Sequence, residues 1–154
     1  MIDAIYFDLD GTLADLYSID NWEYKLNHDD ATPYQEAAPL VDMDKLQTLC
    51  TELANAGVVI GIISWLAKNS NKAYDAKVRQ AKKEWLVKHF PCATELHFVK
   101  YGTTKLKAAK YKNSILVDDN AAIRNGWNGH STIDANKNIL KELQKVLDTL
   151  PKAC

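Results

Sequence analysis

The run Val58-Val59-Ile60-Gly61-Ile62-Ile63-Ser64 constrains the fold more than any other stretch, because it is continuously apolar until its last residue and rich in β-branched side chains. Such a run is typical of a strand covered on both faces, which means a parallel sheet held between layers of helix. The weakly polar stretch around it, Gly57 to Ala67, has 11 residues. A bilayer span needs about 20, so no membrane partner is expected. Ile2 to Asp8 reads as a second strand, Glu95 to Val99 and Ser114 to Val117 as shorter ones, and His130 to Ile133 as a fifth at the edge.

Helical patterns fill the intervals. Met43, Leu46, Leu49 or Cys50, and Leu53 share one face, with Gly57 suitably placed beyond the end. Ser70 to His89 reads as a long helix ended by Pro91, and Ile139, Leu143, Val146 and Leu150 mark a last helix that stops near Pro151. Strands alternating with helices predict an α/β fold: a three-layer α/β/α sandwich around a parallel, Rossmann-like sheet, with ligands at the carboxyl ends of the strands. Residues 14 to 41 break the alternation. This stretch has weak periodicity and several aromatic residues, and is read as a small lid inserted over the site.

A chain of 154 residues with 47% hydrophobic and 25% charged residues suits one globular domain spanning 1–154 and excludes disordered, collagen-like and fibrous classes. The start Met1-Ile2-Asp3 lacks a basic region before an apolar stretch, so no secretory signal is expected and the cytoplasm is the expected compartment. Cys50, Cys92 and Cys154 form no closely spaced pair, which argues against a zinc cluster; two core thiols and a tail thiol are expected.

Charge is unevenly distributed although the net value is −1. Residues 1 to 60 carry 2 Lys and 12 acids, whereas residues 66 to 113 carry 12 Lys or Arg and 3 acids. The basic stretch reads first as a solvated helix face, and secondly as a positive rim for a phosphorylated or nucleic-acid ligand.

Chemistry concentrates in Phe7-Asp8-Leu9-Asp10-Gly11-Thr12-Leu13, where a strand runs into two carboxylates and a Gly-Thr turn. Both acids reach one site only if the backbone turns, which Gly11 permits. A calcium loop counted from Asp8 would put Ile19 at its twelfth position in place of a bidentate Glu, and is excluded. No P-loop and no complete dinucleotide fingerprint is present.

This stretch resembles the first motif, Asp-x-Asp-Gly-Thr/Val, of the haloacid dehalogenase superfamily of phosphohydrolases. The other motifs of that family find matches in the required order. Ser64 ends the apolar strand, a Lys precedes the fourth strand, and Leu116-Val117-Asp118-Asp119-Asn120 supplies the acidic pair. Two lysines compete for the third position. Lys100 ends a strand candidate, and Lys105 follows the possible cap residues Thr103-Thr104; Lys105 is preferred, because a cation in the first turn of a helix suggests an anion nearby.

The resemblance implies a Mg²⁺-dependent phosphomonoesterase. Asp8 would form an aspartyl phosphate, and Asp10 would protonate the leaving oxygen and then activate water. Mg²⁺ would be held by Asp8, by the backbone carbonyl of Asp10 and by the acidic pair, with Asp119 ranked above Asp118. Ser64 and the Lys would bind phosphate, with the Thr12 backbone amide and Trp65 nearby. Asp118 as a plain helix cap for the segment that follows is the structural alternative.

The small lid and Asp118-Asp119-Asn120 resemble 5'-deoxynucleotidases and polynucleotide 3'-phosphatases of the same superfamily. A phosphorylated small molecule, first of all a nucleotide, is therefore the expected substrate, with a nucleic-acid end as the alternative. Trp22, Tyr24, Tyr34 and Trp65 are candidate base-stacking residues, and Lys68, Lys72 and Arg79 candidate phosphate guides. From other classes come a phosphoacceptor module without turnover and a silent binding descendant.

Overall fold

In the computed structural model, which describes residues 1–152, five strands form one sheet in which every pairing is parallel. They are β1 (Ala4–Phe7), β2 (Val59–Trp65), β3 (Glu95–Val99), β4 (Ser114–Asp118) and β5 (Ser131–Asp134), in the order β3-β2-β1-β4-β5. Each expected strand is present: Glu95–Val99 has the expected bounds, and the ends of the others move by at most two residues. The α/β class and the parallel, Rossmann-like sheet between helices are as expected.

Alternation along the strands separates two cores. Ile5, Phe7, Ile60, Ile62, Ile115 and Val117 pack on one side. There they meet α3 (Met43–Asn55), part of α4 (Lys72–His89) and α7 (Ile139–Thr149). Ala4, Tyr6, Ile63 and Leu116 face the other side, closed by α5 (Lys105–Ala108), α6 (Ala121–Asn125) and Trp127. Burial of the Ile, Val, Leu and Phe side chains among these, at about 1.5–3 kcal/mol each, is the main force holding the layers together.

Helix ends follow cap chemistry rather than periodicity alone. α4 starts at Lys72, two residues later than the sequence predicts, because the Asn71 side chain accepts the amide of Tyr74 at 2.9 Å and fixes the start there. α3 begins after Asp42, whose carboxylate accepts the Lys45 amide at 3.2 Å, and Gly57 follows its end at φ +94°.

Residues 14–41 hold a short 3₁₀ turn (Leu16–Ser18), α1 (Trp22–Asn27) and α2 (Thr32–Glu36). Leu16 and Tyr34 join Tyr74, Val78 and Ala81 of α4 in a separate apolar cluster. The Tyr74 hydroxyl donates to the Asp30 carbonyl at 2.9 Å and the Trp85 indole to the Ala37 carbonyl at 2.7 Å, so this segment is fastened to α4. Cys50 is a buried free thiol and Cys92 a half-buried one, while Cys154 lies outside the described residues. Among the described residues no helix is long and apolar enough to cross a membrane.

The strand order has one functional consequence. β2 and β3 lie on one side of β1 and β4 and β5 on the other, so the direction of winding reverses between β1 and β4. A crevice opens at the carboxyl ends of the strands flanking such a reversal. Asp8 and Asp118 are the residues there.

Candidate active site

Register determines which side chains meet. Phe7 pairs with Val117, and the Asp8 amide donates to the Val117 carbonyl at 2.9 Å, so Asp8 and Asp118 lie abreast on the face of Tyr6 and Leu116. After Asp8 the chain turns at once. Gly11 takes φ +78°, and a Cβ there would lie 2.8 Å from Asp119 Oδ2, so the position needs glycine for both conformation and space. The turn brings the Thr12 hydroxyl within 3.1 Å of Asp8 Oδ2 and 3.0 Å of Asp119 Oδ1, while the Asp119 amide donates back to Thr12 Oγ1 at 3.2 Å.

Asp8, Asp118 and Asp119 each offer an oxygen, all within 4.8 Å of one another, and so could hold a metal ion. Octahedral oxygen ligands at about 2.1 Å sit roughly 3 to 4 Å apart, so a small closure of the three would satisfy a hard cation. Asp119 is the least encumbered, since its Oδ1 accepts from Thr12 while its Oδ2 accepts no hydrogen bond among the described residues. Both oxygens of Asp118 are engaged, Oδ2 by Lys105 and Oδ1 by the Asn120 amide. The capping role itself falls to Asn120, whose side chain accepts the amides of Ala122 and Ile123. The Asp10 side chain stands apart from this cluster and is bonded to Lys82.

Lys105 opens α5, a single turn, and its ammonium donates to Asp8 Oδ1 at 2.8 Å and Asp118 Oδ2 at 2.7 Å. The exposed Lys100 has no place in the cavity wall, so the structure brings together Lys105 and not Lys100. The Thr12 amide is taken by the Leu9 carbonyl at 3.2 Å, so Thr12 contributes its hydroxyl where the sequence suggested the amide. Ser64 is 1% exposed and lies behind the cavity wall, where its Oγ accepts from Lys82. Trp65 does line the cavity, with its indole N–H donating to the Thr103 carbonyl at 2.8 Å.

Above these groups lies a cavity of about 300 Å³, walled by Tyr17, Trp22, Trp65, Tyr101 and Lys68 with the carboxylates at its floor. Tyr34 also reaches it, but Tyr24 is exposed and stacks on His28, away from the site. Neither Lys72 nor Arg79 lines it.

The site as a whole, with Asp10 beside the cluster, carries an electrostatic deficit. Four carboxylates, Asp8, Asp10, Asp118 and Asp119, meet two buried ammonium groups, Lys82 and Lys105, so the fully ionised site lacks two positive charges. Burial, with the nearby charge of Asp8, pushes the Asp119 carboxyl up to about 6 and raises Asp118 as well. Burial also raises Asp10, opposed by Lys82, whereas the Lys105 ammonium, disfavoured by burial, is held above its ordinary range by Asp8 and Asp118. Burial and then the charges of Asp10, Asp8 and Asp119 push Tyr17 far up. A divalent cation matches the deficit in both charge and ligand type.

Sequence reasoning missed Lys82. It sits one turn from Val78 and from Leu86 on the apolar stripe of α4, among Tyr74, Ala81 and Trp85. A lysine at a core-facing helical position was the available signal, hidden by its membership of a basic stretch. No protein-family model and no curated sequence matches the chain.

Proposed function

We propose that this protein is a Mg²⁺-dependent phosphomonoesterase, with Asp8 as nucleophile and a nucleotide as the substrate, of the kind found in the haloacid dehalogenase superfamily. The observation that carries the reading is the convergence of Asp8, Asp118 and Asp119 within 4.8 Å, beside Lys105, at the reversal point of a parallel sheet. Hard oxygen ligands and a deficit of two charges suit Mg²⁺, which when bound would neutralise phosphate oxygens that otherwise repel a carboxylate.

In this scheme an Asp8 oxygen attacks phosphorus, and the ester oxygen leaves with a proton from Asp10. Water then attacks the aspartyl phosphate and gives its proton to Asp10, restoring both residues. Lys105 keeps Asp8 and Asp118 aligned and balances charge beside the phosphoryl group, while Thr12 fixes the carboxylates of Asp8 and Asp119. Asp10, poised to exchange a proton, favours turnover over a stable phosphoacceptor.

The aromatic walls suit a planar base, and a 300 Å³ cavity lies at the lower end of the range for small-ligand pockets. Phosphate release should be measured from nucleotides, sugar phosphates and 3'-phosphorylated oligonucleotides, with Mg²⁺ or EDTA, for the parent and Asp8→Asn. Mg²⁺-dependent release lost in Asp8→Asn is expected, greatest for mononucleotides. Turnover indifferent to EDTA or to that substitution removes the mechanism; preference for the oligonucleotide, with a steep salt dependence, moves the substrate to nucleic-acid ends.

A further inference from the structure

Lys82 has no part in the steps above, yet it is a charged side chain as completely buried as Asp118, with 0% exposure. Its ammonium donates to Asp10 Oδ2 at 2.9 Å, Ser64 Oγ at 2.7 Å and the Trp65 carbonyl at 2.7 Å. The ring of Tyr34 lies 4.7 Å from the nitrogen. An ammonium has three N–H donors and no acceptor, so these three partners use all of them. Lys82 therefore has no proton left for a ligand, and any effect on chemistry must run through its partners.

The consequence falls on Asp10. Its Oδ2 accepts from a group that can only donate, so that oxygen cannot also direct a proton toward Lys82. The other oxygen, Oδ1, has no hydrogen-bond partner among the described residues, on a side chain 16% exposed in the cavity wall. Ser64 and the Trp65 carbonyl, both at the end of β2, hold the lysine in place. Lys82 and Lys105 thus reach the site from opposite layers of the sandwich.

We infer that Lys82 is a positioning residue for proton transfer: anchored by Ser64 and the Trp65 carbonyl, it grips Asp10 Oδ2 so that Oδ1 is the oxygen that exchanges a proton with the substrate. This rests on the phosphomonoesterase reading. As the Asp8–phosphorus bond forms and the ester P–O bond breaks, the proton on Oδ1 passes to the leaving oxygen. When water attacks the aspartyl phosphate, its oxygen bonds to phosphorus, the Asp8–phosphorus bond breaks to release the carboxylate, and a water proton returns to Oδ1. The protons of Lys82 do not move. Ser64 acts here as the lysine's anchor.

The test compares kcat/KM, with Mg²⁺, for p-nitrophenyl phosphate, whose leaving group departs unprotonated, and for a nucleoside 5'-monophosphate, whose alkoxide must be protonated. The variants are Lys82→Met, Asp10→Asn and the two combined. Lys82→Met should lower the value for the nucleotide by about 10- to 100-fold, a share of what general acid catalysis supplies, and leave the nitrophenyl ester within about threefold. In the Asp10→Asn background it should cost nothing further. Lys82→Gln, which keeps two N–H donors, should recover part of the loss and provides the same comparison if the methionine variant does not fold. Equal losses on both esters, or a full additional loss in the Asp10→Asn background, overturn the inference while leaving the phosphatase reading intact. A parent inactive on both esters removes that reading and the inference with it.

Discussion

Replacing Asp119 by Asn probes the acidic cluster at its least neutralised point. The amide oxygen can still accept from the Thr12 hydroxyl, which lies 3.0 Å from Asp119 Oδ1, while the charge facing Asp8 and Asp118 disappears. Folding moves the Asp119 carboxyl from 3.8 to about 6. At about 1.36 kcal/mol per unit the ceiling is roughly 3 kcal/mol. Asp119 is partly open to the cavity, so solvent screening reduces this to about 1 kcal/mol. A carboxyl raised on folding costs no stability below its unfolded value, and the cost grows as pH rises from 3.8 through about 6. In EDTA the variant should therefore melt close to the parent at pH 4 and above it by about 2–4 °C at pH 7. Mg²⁺ should reverse that order. With a dissociation constant of about 0.1 mM, 10 mM Mg²⁺ gives the parent about 2.7 kcal/mol. Asp119→Asn, short of one carboxylate ligand, should gain far less. Melting curves followed by circular dichroism at both pH values, with EDTA or Mg²⁺, supply the comparison. A variant that melts below the parent in EDTA at pH 7, or that gains as much from Mg²⁺, would refute the electrostatic account of the cluster.

Lys105→Met leaves Asp8 and Asp118 without their buried counter-charge, so urea denaturation at pH 7 should show a loss of about 3–5 kcal/mol, with phosphate release abolished. Lys100→Ala removes an exposed cation outside the cavity; stability should stay within about 0.5 kcal/mol of the parent and kcat/KM should be unchanged, and a large kinetic loss would return the third-motif role to Lys100.

The strands were legible because their burial leaves a direct trace in sequence. Val59 to Ile63 could not be placed anywhere but between two layers, and Ile5 and Phe7 alternate with Ala4 and Tyr6 as the two cores require. The acids of the site were legible for the opposite reason, since pairs of carboxylates beside a Gly-Thr turn have few purely structural uses. What stayed hidden depends on tertiary approach. Lys100 and Lys105 differ by five positions, and only the path from β3 into the turn of α5 decides which ammonium reaches Asp8. Ser64 lies one residue short of the end of β2, where the sequence expects the strand to stop, yet its depth depends on the packing of α4. Lys82 was hidden most completely, because a basic segment reads as solvated and, of the basic residues of α4, Lys82 alone is buried.

The hydrophobic pattern and the chemistry are in fact one constraint. Ile115 and Val117 belong to one core and Leu116 to the other, and this alternation fixes β4 against β1 with Phe7 opposite Val117. Because facing residues of paired strands share a side, the same register puts Asp8 and Asp118 together on the side from which Lys105 arrives. A slip of one residue would send Asp118 to the opposite face, put Leu116 in the wrong core and leave Lys105 with a single partner. Core packing therefore selects the only register in which the cluster can form. The electrostatic cost of bringing the carboxylates together is offset by burial of the apolar residues that precede them.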